Sequence, residues 1–181
     1  MGMAVTYYTA DMVRALPDDG RRYEVVHGEL LVTPSPQAVH QLVVQRLSVA
    51  VSVYAERHGA GQVFTAPADI SWGPETLVQP DVFVVPLEQA RTLDWREMTN
   101  LLLAVEVLSP STARADRFTK RRLYQEVGVP TCWIVDPERR CVEVWTPAAA
   151  FPAIEWASVS WHPDGAAETF TMRLEELLRP L

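Results

Sequence analysis

The stretch "LLLAVEVLSPST", Leu101 to Thr112, decides how the chain folds. Seven of its first eight residues are apolar, the pattern of a strand covered on both faces. Glu106 interrupts that run. A glutamate is almost never fully buried without a partner, and an unpaired buried carboxylate either costs several kcal/mol or takes up a proton. The strand therefore predicts a layered core and, inside it, a group that answers Glu106.

A second strand repeats the anomaly. In "LVQPDVFVVP", Asp81 follows Pro80 and begins the apolar run "VFVV". Two carboxylates on neighbouring strands can share a divalent cation. Magnesium prefers oxygen ligands and keeps several waters, and a bound cation holds both groups ionised. Strand-end carboxylates bonded to backbone or paired with arginine would satisfy the same pattern. Glu29, after a hairpin turn, and Asp69, at the start of "DISW", are further acidic candidates.

Outward from these strands the elements follow in order. "TADMVRAL" predicts a short helix capped by Thr9 and ended by Pro17. "YEVVHGELLV" predicts a tight hairpin turning at His27-Gly28. The long helix is expected to start at Ser35-Pro36, with proline in its first turn, and to stop before Gly59. Its apolar stripe reads Val39, Leu42, Val43, Leu47, Ala50, Val53 and Tyr54, with His40 beside it as a satisfied interior histidine. Short strands follow at "QVFTAP", "DISW" and "LVQPDVFVVP". "TCWIVD" and "CVEVW" predict a closing hairpin, and "FTMRLEELL" a strand end with a short helix. No repeat or linker divides residues 1–181, so one α/β domain is expected, a mixed central sheet flanked by helices with additional hairpins.

A second helix is predicted over residues 113–127, stopping at Gly128 with Pro130 beyond. Its "RADRFTKRR" segment holds five basic residues and one acidic residue. At ~100° per residue, Lys120 points with Ala113, Leu123, Tyr124 and Val127, with Asp116 one turn before it. Arg114, Arg117 and Arg121 project towards solvent; with Arg122 they read as a solvated face that could touch phosphates. A lysine aimed at the sheet needs an explanation. It either serves a site or snorkels past apolar neighbours.

Composition sets outer bounds. The 181 residues are 48% hydrophobic and 22% charged, ordinary for a globular chain. No apolar run approaches the ~20 residues of a membrane span, and the N-terminus lacks the pattern of a signal peptide, so the cytoplasm is the default expectation. Cys132 and Cys141 lack metal or redox spacing and read as reduced packing residues. A net charge of −7 argues against indiscriminate nucleic-acid binding. The six tryptophans read as packing rather than as platforms for bases.

Several blocks together resemble one family. "YEVVHGEL", "QPDVFVV", "LAVEVLSPST", "DRFTKRRLY" and "GVPTCWIVDPERRCVEVW" are similar, in order and spacing, to the Uma2-like proteins, which are assigned to the PD-(D/E)XK restriction-endonuclease-like fold. The resemblance spans roughly residues 9–150. It implies that Pro80-Asp81 is the PD element and Glu106-Val107-Leu108 the (D/E)XK element, with Leu108 where the motif has lysine. In related nuclease-like proteins a lysine from the following helix can replace the missing one; Lys120 fits. Glu29 in "HGEL" matches an acidic position of the family. The resemblance implies a nuclease acting on DNA, using magnesium or alternatively manganese at Asp81 and Glu106, with Lys120 and Glu29 assisting. Fold alone does not establish function, and a non-catalytic binding or assembly domain that keeps the fold is the rival. A homodimer is expected, with the closing hairpin, Trp156 and Trp161 offering apolar surface.

Overall fold

The computed structural model describes residues 7–180. Helix α1 (Ala10–Arg14) is capped by Thr9, whose hydroxyl accepts from the Met12 amide at 3.3 Å. Strands β1 (Arg22–Val26) and β2 (Glu29–Thr33) form the expected hairpin. His27 and Gly28 both have positive φ, 49° and 79°, the turn geometry that matches strand twist. A β-carbon on Gly28 would lie 2.2 Å from the Tyr7 ring, so the turn has no room for a side chain there.

Helix α2 (Ala38–His58) ends on Gly59 but starts later than Ser35-Pro36. The Ser35 hydroxyl donates to the Gly20 carbonyl at 3.1 Å instead of capping the helix. Its buried face also differs from the expected stripe. His40, Val43, Val44, Leu47, Val51, Tyr54 and Ala55 face inward, whereas Val39 and Val53 are exposed. Valines lie all round this helix, so apolarity alone does not select a face; the sheet beneath it does.

Strands β3 (Gln62–Thr65), β4 (Ile70–Gly73), β5 (Thr76–Val78) and β6 (Val82–Val85) precede the short helix α3 (Leu87–Ala90). The opening stretch becomes β7 (Leu103–Val107), buried at every position. A π-helical segment, Ala115–Lys120, then runs directly into α4 (Arg121–Glu126). After it come β8 (Cys132–Asp136), β9 (Cys141–Trp145), β10 (Ala153–Glu155), β11 (Ser158–Trp161), β12 (Phe170–Arg173) and α5 (Leu174–Leu177).

The strands form a six-stranded sheet, β10-β9-β8-β7-β6-β3, a four-stranded sheet, β2-β1-β5-β4, and the pair β11-β12. In the larger sheet β7 and β8 run parallel, joined by the helical crossover through α4, and the other neighbours are antiparallel. Side-chain alternation divides its two faces. Val82, Val84, Leu103, Val105, Val107, Trp133 and Val135 pack towards α2 and α5. Phe83, Val85, Ala104, Leu108, Cys132 and Ile134 pack with Leu123 and Tyr124 on the opposite side. A smaller cluster seats α1 on β1 and β5. Among the described residues, no helix is long and apolar enough to cross a membrane.

Two surface expectations change. The closing hairpin lies inside the six-stranded sheet, and Trp133, Trp145 and Trp161 are buried; of the apolar surface suggested for self-association, Trp156 remains exposed. Arg117 does not run to solvent: it pairs with Asp136 at 2.5 Å and Glu143 at 2.8 Å. Arg121 stacks over Trp145, 4.2 Å from the ring centroid. Cys132 sits opposite Trp145 and Cys141 opposite Asp136; this offset leaves both as free, buried thiols.

The observed face of α2 can be tested by truncation. Val51→Ala, at a position with no exposure, is expected to cost about 2 kcal/mol through lost burial and an incompletely closed cavity. Val53→Ala, at a side 54% exposed, should change stability by less than about 0.5 kcal/mol. Urea unfolding of the two variants checks the order, which the sequence stripe reverses.

Candidate active site

The register of β6 and β7 brings the two anomalous carboxylates together. Val82 lies opposite Val105, so Asp81 falls beside the end of β7, where its Oδ2 accepts from the Val107 amide at 2.9 Å. Asp81 and Glu106 line one cavity of about 220 Å³, together with Arg22, Glu24, His40, Asp116 and Lys120. Pro34 to Gln37 form one rim and Ser109 to Thr112 the other.

Lys120, the one lysine of the chain, sits at the centre with 2% exposure. Its ammonium lies 2.8 Å from Glu106 Oε1, 2.9 Å from Glu24 Oε1 and 3.8 Å from Asp116. Arg121 N–H bonds to the Asp116 carbonyl, five residues back, so this turn is π-helical. Asp116 and Lys120, four residues apart, lie on one side of the helix and both are buried. Tyr124, one α-helical turn beyond Lys120, donates its hydroxyl to Glu106 at 2.5 Å.

Asp81 is held by other groups. Arg22 reaches its Oδ1 at 3.0 Å and His40 Nε2 its Oδ2 at 3.0 Å. Leu108 stands at the lysine position of the motif and packs into the apolar cluster that also contains Leu123 and Tyr124.

Glu29 does not reach this cluster. It lies opposite Val26 at the turn end of β2, a strand on the sheet edge, and is exposed. The acidic residue of the hairpin that enters is Glu24, which sequence reading missed. Its Oε1 also accepts from the Gln79 amide at 2.6 Å. Glu24 shares strand parity with Arg22 and the buried Val26, a signal already present in "RYEVV". Asp69 lies outside the cavity and accepts from Gln79 Nε2 at 2.9 Å.

Four carboxylates, Glu24, Asp81, Glu106 and Asp116, thus face Lys120, Arg22 and His40. Burial pushes the Asp81 pKa upward, but the His40 hydrogen bond and the charges of His40, Lys120 and Arg22 outweigh it and hold Asp81 at about 2. Burial raises Glu106 well above the usual range; Lys120 opposes this, while Asp116, Asp81 and Glu24 add to it. Burial likewise raises Asp116 to about 6, against the pull of Lys120. Lys120 itself would lose affinity for its proton through burial, but Glu106, Glu24 and Asp116 reverse that and raise its pKa. His40 Nδ1 is buried without a hydrogen-bond partner.

The donor chemistry fits a hard divalent cation. The carboxylates outnumber the permanent cations Lys120 and Arg22, and oxygen donors suit magnesium. Such an ion would rest on two carboxylates, Asp81 and Glu106, and keep several waters. Among the described residues no group of three or more His, Cys, Asp or Glu side chains is arranged to hold a metal, and the cation they enclose is the Lys120 ammonium.

A mixed sheet with buried carboxylates at the ends of two core strands, answered by a lysine from the crossover helix, defines a restriction-endonuclease-like α/β protein. The chain belongs to the Uma2 family, described as "Putative restriction endonuclease", which it matches over residues 10–177. Among solved structures it is similar to "a putative nuclease belonging to DUF820" from Anabaena variabilis ATCC 29413, with a TM-score of 0.76 and 18% identity. That likeness covers 94% of this chain and 97% of the other, and at this identity it shows the shared fold. No curated protein matches the chain.

The burial of Asp116 gives a signed pH dependence. Asp116 has a folded pKa of about 6 against an ordinary 3.8, so its proton stabilises the fold fully below pH 3.8 and that contribution fades as pH rises through 6. The shift corresponds to an effect on the order of 2–3 kcal/mol. Asp116→Asn is expected to melt higher than the parent at pH 8 and close to it at pH 4. Thermal melting at the two pH values checks this; a uniform loss at both would show that the carboxylate is needed as a partner for Lys120.

Proposed function

We propose that the chain is a magnesium-dependent nuclease that hydrolyses phosphodiester bonds in DNA. The observation that carries this reading is the buried carboxylate cluster around Lys120 at the ends of β6 and β7, in a chain whose family is described as "Putative restriction endonuclease". The reading places it in the cytoplasm, where its two thiols stay reduced.

Asp81 and Glu106 would hold magnesium, with manganese as an alternative, and an ion held there would supply Lewis acidity towards the scissile phosphate and an attacking water. The residues around them have separate tasks. His40 and the Val107 amide fix the Asp81 carboxylate, and Tyr124 fixes Glu106. Arg22, 21% exposed, pairs with Asp81 in the cavity lining, and its remaining N–H groups would bind and orient phosphate oxygens. Lys120 places a fixed positive charge beside the charge that develops on the phosphoryl oxygens. Glu24 takes the supporting acidic part that the family resemblance assigned to Glu29.

The closed ion-pair cluster favours one other reading, a binding or assembly domain in which Lys120 has replaced the metal as the permanent counter-ion. Divalent ions separate the two. In the nuclease, magnesium raises the melting temperature relative to EDTA, and this rise disappears in Asp81→Asn. In the binding domain magnesium has no effect and plasmid stays intact.

Two variants sharpen the test. Glu106→Gln should fold and lose metal-dependent cleavage of plasmid and single-stranded DNA by at least ~100-fold, the scale of one well-placed electrostatic group. Lys120→Met removes the ammonium on which buried carboxylates depend, and breaking such a set costs about 3–5 kcal/mol. It is expected to destabilise the fold as well as reduce cleavage; unchanged melting would show that Lys120 is dispensable to the cluster.

A further inference from the structure

The cavity that holds the carboxylates is the middle of a longer furrow. Towards α1 it shares Arg22 and the Pro34–Pro36 rim with a cavity of about 440 Å³ lined by Arg14 and Arg21 together with Asp18 and Asp69; Arg14 lies 3.9 Å from Asp69 and Arg21 3.7 Å from Asp19. Towards the other end it shares Gln37, His40, Ser109 and Pro110 with one of about 260 Å³. Val39 and Pro137 join that cavity in turn to one of about 1000 Å³. Residues 34–46 contribute to every one of these cavities, which therefore follow one another along that segment. The path is narrow at the carboxylates and wide at both ends.

Its widest end differs in charge from the molecule as a whole. The chain carries −7, yet this cavity is lined by Arg46, Arg140 and Arg179 and, among the described residues, by no acidic one. Arg46 and Arg140 are positioned by backbone carbonyls, those of Leu177, Leu178 and Arg179. These bonds do not neutralise the guanidinium charge. Between the arginines lie Val39, Leu42, Leu178 and Pro180. A surface of fixed cations around an apolar floor fits a strand that carries phosphates on one side and unpaired bases on the other.

A paired duplex fits poorly. Asp81 and Glu106 are buried to 3% and 1% exposure behind two rims, in a cavity of about 220 Å³, which an unpaired strand, free to turn its phosphates inward, enters more readily than a backbone held in place by pairing. A single strand can thread it.

We propose that the furrow from Arg21 to Arg179 is the path of single-stranded DNA, which passes its phosphates one at a time over the carboxylate cavity. This inference deepens the nuclease reading and rests on it for the choice of DNA. It needs no second active site, and so no paired copy, because one strand is cut at a time.

The test is binding without cleavage. Fluorescence anisotropy in EDTA compares a labelled oligothymidylate, a duplex of the same length and the matching RNA strand. The single DNA strand is expected to bind at least about tenfold more tightly than the duplex, through phosphate contacts whose affinity falls with salt. The double variant Arg140→Glu, Arg179→Glu should weaken it at least tenfold and flatten the log–log salt slope by about 1.4, at ~0.7 per lost phosphate contact on a single strand. Arg179→Glu alone, at an exposed position, gives the same direction should the double variant unfold, as melting would report. Equal or tighter duplex binding, tighter binding of the RNA, or arginine variants with unchanged strand affinity would overturn the proposal. The two readings fail separately: strand binding without any cleavage removes the nuclease and leaves the furrow. Duplex cleavage indifferent to the arginine variants removes the furrow and leaves the nuclease.

Discussion

The buried Lys120 ammonium is the constraint on which the rest of the structure depends. Its desolvation is offset only because Glu106 and Glu24 approach within hydrogen-bonding distance and Asp116 stands near. Each comes from a different element: the end of β7, the middle of β1, and the π-helical turn before α4. The ammonium therefore ties the four-stranded sheet to the six-stranded sheet through the crossover helix. Buried ion pairs contribute little net stability against an apolar replacement. Their effect here is to fix where three elements sit relative to one another, with Tyr124 locking Glu106 and His40 locking Asp81.

The same constraint explains why a leucine can stand at position 108. Leu108 shares strand parity with Glu106 and packs with Leu123 and Tyr124. The positive charge arrives instead from above, on the helix. An α-helical turn repeats every ~3.6 residues, so Asp116 and Lys120, four apart, approach the sheet from one side of the helix. The charge thus reaches the carboxylate without occupying space on the strand, and β7 keeps its uninterrupted apolar packing on the other face.

Charge is distributed to suit this arrangement. Acidic groups converge where a cation is needed, and burial raises the pKa of Glu106 and Asp116, with the neighbouring carboxylates adding to it and Lys120 opposing it. Arginines that could have formed an indiscriminate basic face are instead committed. Arg117 bridges Asp136 and Glu143 beneath the rim, and Arg121 stacks on Trp145. Arg46 and Arg140, directed by carbonyls, keep their charge available at the wide end of the furrow.

Residues that violate their local pattern were legible from sequence. Asp81 and Glu106 interrupt apolar strands, and Lys120 interrupts an apolar helix face; each contradiction is visible within a few residues because burial of charge is costly anywhere. The His27-Gly28 turn and the Gly59 helix end were legible for the same local reason, a backbone conformation that glycine accommodates. What needed tertiary structure was every choice between equivalent faces. Alternation puts Glu24, Val26 and Glu29 on one side of a hairpin, but only the packing of one sheet over the other decides that Glu24 meets Lys120 while Glu29 stays in solvent. The valines surrounding α2 leave its orientation undetermined until a sheet covers one side. The sequence by itself determined which residues could not be ordinary; the tertiary structure decided which of them meet, because contact between charges depends on distances that no local periodicity encodes.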